Sequence, residues 1–151
     1  MFIYNIRNLK DKNTEIHNLH ILVEPKEVKT LINNLPYELT NAQKRTWEEI
    51  KRDISSTKVM NRLIQGDVGS GKTIIAFFAL ITAALNNGQG AMMAPTEVLA
   101  RQHYDNLIEL IKEHNINVNP VVLVGSMTAK EKIDAYKVIE SGDADIIIGT
   151  H

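Results

Sequence analysis

The sequence predicts an α/β fold in which a parallel sheet is flanked by helices. Three observations carry that expectation. Short apolar runs of strand length alternate with longer stretches of helical period, which is the pattern of βαβ crossovers. The strand runs are continuously apolar rather than alternating, as expected where helices cover both faces of a sheet. A glycine-rich string, Gly66-Asp67-Val68-Gly69-Ser70-Gly71-Lys72-Thr73, joins one apolar run to the helical stretch after it.

The elements follow in order. Residues 1–23 show no clear period, and 11–18 mix charges, amides and Thr, so a lead-in or linker is expected there. Pro25 suits the first position of a helix, where its missing N–H would be unpaired anyway. A short helix through Val28, Leu31 and Ile32 follows. It stops at Asn33-Asn34-Leu35-Pro36, because the residue before a proline avoids the α region. The expected division is a lead-in with a short helix over 1–35 and one domain over 36–151.

Thr40-Asn41-Ala42-Gln43 reads as a capping box that opens a helix to about Ser55. A strand is expected over 59–65, the glycine-rich turn over 66–73, and an apolar helix from Lys72 to about Asn86. Asn87-Gly88 closes that helix. A second strand covers 90–94. Thr96 then starts a helix with Val98, Leu99, Leu107, Leu110 and Ile111 on one face. His103 falls on this apolar face, where a lone histidine is more often part of the core than functional. A third strand covers 118–124. Thr128-Ala129-Lys130-Glu131 is another capping box, whose helix ends at Ser141-Gly142. A fourth strand covers 145–149, and no internal repeat is visible.

Composition narrows the function. The 151 residues are 44% hydrophobic and 23% charged, as in a soluble globular domain and unlike a disordered or collagen-like chain. No apolar run approaches the roughly 20 residues that span a bilayer, so no membrane partner is expected. The N-terminus lacks the long apolar stretch of a secretory signal. With no cysteine, disulfides, thiolate nucleophiles and Cys-ligated zinc are excluded, which fits a cytoplasmic chain. The formal charge is −1, so binding to nucleic acid would need a specific site or help from another domain.

The string at 66–73 matches G-x-x-x-x-G-K-[ST] in every fixed position. A triphosphate carries dense negative charge, so a loop that holds it must aim several backbone N–H groups at one point. Glycines permit the dihedrals and the close approach this needs. The helix that follows adds its positive N-terminus. Lys72 would reach the β- and γ-phosphates, and the Thr73 hydroxyl would be a ligand of Mg²⁺. The expected cofactors are therefore ATP and Mg²⁺. Chance would produce such a string in about half a percent of chains this long, judged from average residue usage.

Hydrolysis usually needs a second carboxylate, at the end of another strand, to hold the metal and orient the attacking water. The strands end in Pro95-Thr96-Glu97, in Gly125-Ser126 and in Gly149-Thr150-His151, and none is an apolar run followed by Asp. Glu97 is the only acid near a strand exit, and it suits the first turn of a helix better than the role of a base.

Four strings together are distinctive. Leu35-Pro36-Tyr37-Glu38-Leu39-Thr40-Asn41-Ala42-Gln43 resembles the Q-motif region of superfamily 2 helicases. The 66–73 loop looks like motif I in the form used by the RecG family of branch-migration DNA helicases. Ala94-Pro95-Thr96-Glu97-Val98-Leu99-Ala100-Arg101-Gln102-His103 is similar to that family's motif Ia, and Ile147-Ile148-Gly149-Thr150-His151 resembles the segment just before its DExH box. The resemblance covers residues 24–151 well and 1–23 poorly.

The resemblance implies part of a P-loop, RecA-like first motor lobe, truncated before the DExH strand. The parent would be an ATP-dependent DNA helicase acting on branched or forked DNA in recombination and repair. The absent parts would be a wedge domain and a second RecA-like lobe with its arginine finger. The isolated chain is then expected neither to hydrolyse ATP nor to unwind DNA. Gln43 would read the adenine edge and Tyr37 would stack on the base, although Gln43 also completes a capping box and Tyr37 could simply pack the lobe. Pro95, Thr96 and Glu97 would face a DNA strand, with Gly125, Ser126 and Thr150 as further backbone contacts. Thr96 could equally be only an N-cap. Lys44-Arg45 and Lys51-Arg52 are expected to form a solvated helix face. Two other classes stay open from the residues alone: a P-loop kinase for a small metabolite, and a non-catalytic nucleotide-binding module. A kinase would need an arginine-rich lid, and Arg101 is the only arginine after Arg62.

Overall fold

A helix opens cleanly where a side chain takes over the orphan N–H groups of its first turn. Thr40, Thr96 and Thr128 each do so, accepting from the backbone N–H of Gln43, Leu99 and Glu131. Both expected capping boxes are complete, because the side chains of Gln43 and Glu131 reach back to the N-cap backbone. These caps belong to a computed structural model that describes residues 21–151. The lead-in expected over 1–23 lies, up to residue 20, outside the described residues. The described chain divides into two compact units after Thr82.

The first unit holds α1 (Lys26–Asn33), α2 (Asn41–Ile54) and most of α3 (Lys72–Leu85). Pro25 is the residue before α1, with φ −69° and ψ 156°, so it lies one position outside the helix it was expected to begin. Val28 and Leu31 of α1, Trp47, Ile50 and Ile54 of α2, and Ile75 and Phe78 of α3 are buried. The Trp47 and Phe78 rings meet edge to face, 5.5 Å between centroids. The indole N–H of Trp47 donates to the Glu24 carboxylate at 2.8 Å, which satisfies the one polar atom that this ring buries.

The strand expected over 59–65 is not there. Among the described residues only Lys58 makes an isolated bridge, and 59–65 join no ladder. A strand exists only where a neighbour supplies hydrogen bonds, and apolar composition cannot supply a neighbour. Leu63 is accordingly 70% exposed, and Arg62 is held instead by Asp53 and Glu49 of α2.

The second unit is a three-stranded parallel sheet with β1 (Gly90–Met93), β2 (Pro120–Leu123) and β3 (Ile146–Gly149) in the order β1-β3-β2. Gly90 and Pro120 both pair with Ile146, which fixes the register. Between the strands run α4 (Glu97–Glu113), which packs on β2 and β3, and α5 (Ala129–Glu140), which packs on β2. Ile146 and Ile148 of the central strand are fully buried. Gly149 is required by its neighbour, since a Cβ there would strike the Leu123 carbonyl. Helix ends in this unit use left-handed residues: Asn87 (φ 60°), Asn115 (φ 51°) and Gly142 (φ 80°). At the expected Asn87-Gly88 stop it is the asparagine that takes the left-handed conformation, while the Gly88 N–H closes onto Ala83 O at 2.9 Å. No helix among the described residues is long and apolar enough to cross a membrane.

Candidate functional site

The glycine-rich loop lies at the start of α3. Gly69 and Gly71 take φ of 81° and 75°, a region that side-chain-bearing residues rarely enter. The Ser70 N–H donates to Asp67 O at 3.1 Å and makes the turn tight. Lys72 folds back over it. Its ammonium donates to the carbonyls of Gly66 and Asp67, both at 2.6 Å, and to Ser70 Oγ at 3.2 Å. These acceptors take up the three N–H donors of the ammonium, which would have to turn outward to meet a polyanionic phosphate tail. Thr73 is the second residue of α3, half-buried, and Val68 is fully exposed at the tip of the loop.

Gln43 reaches the same loop from α2. Its Nε2 donates to Ser70 O at 3.0 Å, while its Oε1 accepts the Thr40 N–H at 2.8 Å. One carboxamide therefore caps α2 and holds the loop at once. The fit leaves no room at Gly71, where a Cβ would fall on the Gln43 amide. Tyr37 is not part of this cluster. It is half-exposed and lines a groove of about 870 Å³ together with Leu35, Pro36, Lys44 and Trp47. Among the described residues no three His, Asp or Glu side chains gather as a metal site.

The second unit carries a different cluster. Its strands are parallel, so all three leave the sheet at one edge, the edge where open α/β sheets place their ligands. β1 leads to Pro95, Thr96 and Glu97, β2 to Gly125 and Ser126, and β3 to Thr150. Pro95, Thr96, Gly125 and Ser126 are exposed, and Thr150 is half-buried with its N–H on Leu123 O at 3.3 Å. Thr96 is the N-cap of α4.

Glu97 and Ser126 meet, although they leave the two outer strands. One oxygen of Glu97 accepts the Ser126 hydroxyl and the other accepts the Ser126 N–H at 3.2 Å. Arg101, one turn further along α4, closes the ring, with Nε on Glu97 at 3.1 Å and Nη2 on Ser126 Oγ at 3.1 Å. The Ser126 hydroxyl first, and Arg101 with it, hold the Glu97 carboxyl below the usual carboxylate range. Sequence reading did not include Arg101 in the site. Its i,i+4 spacing from Glu97 was visible, and its bond to Ser126 was not. His103 is half-buried on α4, and burial pushes its imidazole below the ordinary range, as befits a packed residue.

The DEAD/DEAH box helicase family model matches residues 40–151. The ATP-dependent DNA helicase RecG of Aquifex aeolicus (strain VF5) is 43% identical over 129 residues, which is 85% of this chain and 16% of the relative. RecG of Bacillus subtilis (strain 168) is 46% identical over 83% of this chain and 18% of its own length. RecG of Staphylococcus aureus (strain NCTC 8325 / PS 47) is 37% identical over the whole of this chain and 22% of its own. The chain thus spans about a fifth of the length of these relatives. A solved structure of RecG bound to a three-way DNA junction matches with TM-score 0.81 and 41% identity, over 89% of this chain and 18% of that one. A hypothetical ATP-dependent RNA helicase from Sulfolobus tokodaii shares the fold, with TM-score 0.60 and 19% identity over 82% of this chain and 33% of its own.

Proposed function

We propose, because this chain belongs to the DEAD/DEAH box helicase family, that it is the ATP-binding portion of a DNA helicase motor that works on branched DNA. The family is one of ATP-hydrolysing enzymes, and the chain is RecG-like within it. Residues 36–151 would be the partial RecA-like domain and 1–35 its lead-in. The observation that carries the reading is the Lys72 ammonium, folded onto the carbonyls of a glycine-rich loop that Gln43 braces.

In this reading the N–H groups of 66–73, and Lys72 once its ammonium leaves the loop carbonyls, would hold the β- and γ-phosphates of ATP. Thr73 would supply a hydroxyl ligand to Mg²⁺. Magnesium and Lys72 together would neutralise charge on the transferring phosphoryl group. Gln43 would reach adenine once it lets go of Ser70, and Tyr37 would stack on the base. Thr96, Ser126 and Thr150 would contact DNA phosphates at the sheet edge. The second motor lobe, the wedge domain and the action on forked DNA belong to the longer protein. A cytoplasmic location goes with these partners.

The match to a helicase family model over 40–151 favours this reading over a small-metabolite kinase. The test is titration of folded protein with a fluorescent ATP analogue in Mg²⁺. Saturable binding is expected, and Lys72→Ala should weaken it by about tenfold or more, the worth of a charged hydrogen bond. No binding at millimolar nucleotide would overturn the reading. ATPase that a three-way junction stimulates only in a chain extended beyond His151 would support the motor role. Phosphate transfer to a small molecule would defeat it.

A further inference from the structure

The ring formed by Glu97, Ser126 and Arg101 has the donors of a phosphate site and an acid already in it. A phosphate oxygen at a turn is ordinarily met by a backbone N–H, a hydroxyl and a guanidinium. All three kinds of donor converge here, on the two oxygens of Glu97 and on Ser126 Oγ. The ring is also self-cancelling, with one negative and one positive charge, so as it stands it attracts no anion. Yet it lies at the exposed sheet edge, with the Arg101 side chain 48% and the Glu97 side chain 33% accessible.

We propose that Glu97 is a resident stand-in for phosphate: its carboxylate occupies a seat built from the Ser126 N–H, the Ser126 hydroxyl and Arg101, and a backbone phosphate of a DNA strand displaces it. This rests on the DNA-strand reading above for the source of the phosphate, while the seat itself rests on the geometry. Displacement swings one acid out and leaves Arg101 uncompensated, so the site becomes net positive when it is used. Such an exchange discriminates against weak anions, because an incoming group must replace three bonds before it gains any. Lys132 reaches that turn from α5, its ammonium on Gly125 O at 2.8 Å, and would add to the field an entering phosphate meets.

The test uses the full chain and two probes, a fluorescein-labelled single-stranded oligonucleotide and inorganic phosphate. Glu97→Gln keeps an acceptor and removes the charge. It should tighten oligonucleotide binding several-fold and steepen the log–log salt dependence by about 0.7, one further single-strand contact. Glu131→Gln is the control, since Glu131 also acts on Arg101 from nearby and the charge change is the same. It should leave binding near the wild type. Adding Ser126→Ala to Glu97→Gln should abolish the gain. In NMR titrations with inorganic phosphate, the Ser126 amide should shift in Glu97→Gln and stay still in the wild type. Glu97→Asp, too short to reach across, should free that amide as well, and it serves if the first variant does not fold.

Equal gains from the Glu97 and Glu131 variants would overturn the proposal in favour of a general charge effect. So would a Ser126 amide indifferent to phosphate in both Glu97 variants. A responsive amide in a protein that binds no oligonucleotide would support the seat and overturn the DNA-strand reading instead.

Discussion

The side-chain amide of Gln43 donates to the carbonyl of Ser70, 27 residues away, at 3.0 Å. The same carboxamide accepts the Thr40 N–H. The start of α2 and the glycine-rich loop are therefore held by one group, and the two duties can be separated by mutation. Glu at position 43 would keep the capping box, because a carboxylate accepts from Thr40 as well as an amide does. It would lose the amide donor, which serves Ser70 O here and would serve the adenine edge in the proposed bound state, and it would set two acceptors against each other. Gln43→Glu is expected to melt near the wild type and to bind nucleotide about tenfold more weakly, the worth of roughly 1.4 kcal/mol. Gln43→Ala should lose both, with about 1 kcal/mol of stability from the broken cap. Thermal melts beside nucleotide titrations decide it, and equal effects of the two variants on both measurements would contradict the division.

Gly71→Ala tests the same contact from the other side. The new methyl would need φ near 75° and would fall on the Gln43 amide. A left-handed alanine costs roughly 1–2 kcal/mol before any clash is counted. The loop is expected to lose the backbone shape that aims its N–H groups at one point, so nucleotide affinity should fall by more than in Gln43→Ala. Gly69→Ala, with a similar φ of 81° but open space around it, should fall less. Identical affinities for the two alanine variants would show that backbone strain alone, without the Gln43 contact, governs the loop.

Local chemistry was legible in the sequence and distant pairing was not. The N-caps at Thr40, Thr96 and Thr128 are within four residues of what they satisfy, and each was readable. The three parallel strands were readable from their apolar runs, with ends trimmed by one or two residues. The run over 59–65 carries the same signal and forms no ladder, because pairing depends on a neighbour that composition does not encode. The glycine-rich turn at 66–73 was legible as well, and two of its glycines take the left-handed backbone that motif needs. The bonds that give the clusters their character join Gln43 to Ser70 and Glu97 to Ser126, 27 and 29 residues apart, and no period connects them. Tyr37 could not be placed from its chemistry alone: it suits a base, and its half-exposed ring lines a groove with Trp47.

Trp47 joins a buried ring to a largely buried acid. Its N–H meets Glu24, whose side chain is only 12% accessible, and Lys51 approaches the same carboxylate at 3.4 Å. Trp47→Phe keeps most of the ring packing against Phe78 and removes the donor. The cost expected is about 1–3 kcal/mol, that of leaving a buried acceptor short of a partner. Trp47→Ala should cost about 3–5 kcal/mol, because a cavity is added. Urea unfolding of both variants measures this. A Phe variant as stable as the wild type would show that Lys51 and Lys29 satisfy Glu24 without the indole.

Acid sensitivity should arise in part at α5. The Thr128 hydroxyl first, and the Thr128 N–H after it, lower the pKa of Glu131 from its ordinary value of 4.5. A carboxyl depressed in the folded state contributes stability that is complete above its unfolded value and is lost as the pH falls through the folded one. The contribution is therefore whole at neutral pH and fades below about pH 4.5, toward the lower folded value. Glu131→Gln has no proton to take up there. Its stability curve should be flatter than that of the wild type in the acid range and parallel to it above. Parallel curves throughout, measured by chemical denaturation across the acid range, would remove Glu131 from the account.

Gly149 ties the sheet to the edge where the strands end. It pairs with Met93 on one side and Leu123 on the other, and its missing side chain lets the Leu123 carbonyl approach. Gly149→Ala would push that carbonyl away, and the next bond, from the Thr150 N–H to Leu123 O, would go with it. The ladder between β2 and β3 is then expected to open at its exit end, where Ser126 and Thr150 are carried. A cost of about 1–3 kcal/mol is expected, typical of a forced clash in a packed element. At roughly 2–4 °C per kcal/mol for a chain of this size, melting should fall by about 2–12 °C. Amide exchange should localise the damage, with protection lost at Leu123 and Thr150 and kept at Ile146 and Ala91. Uniform loss along β3 would mean instead that the central strand yields as a whole and that Gly149 is only one of its bonds.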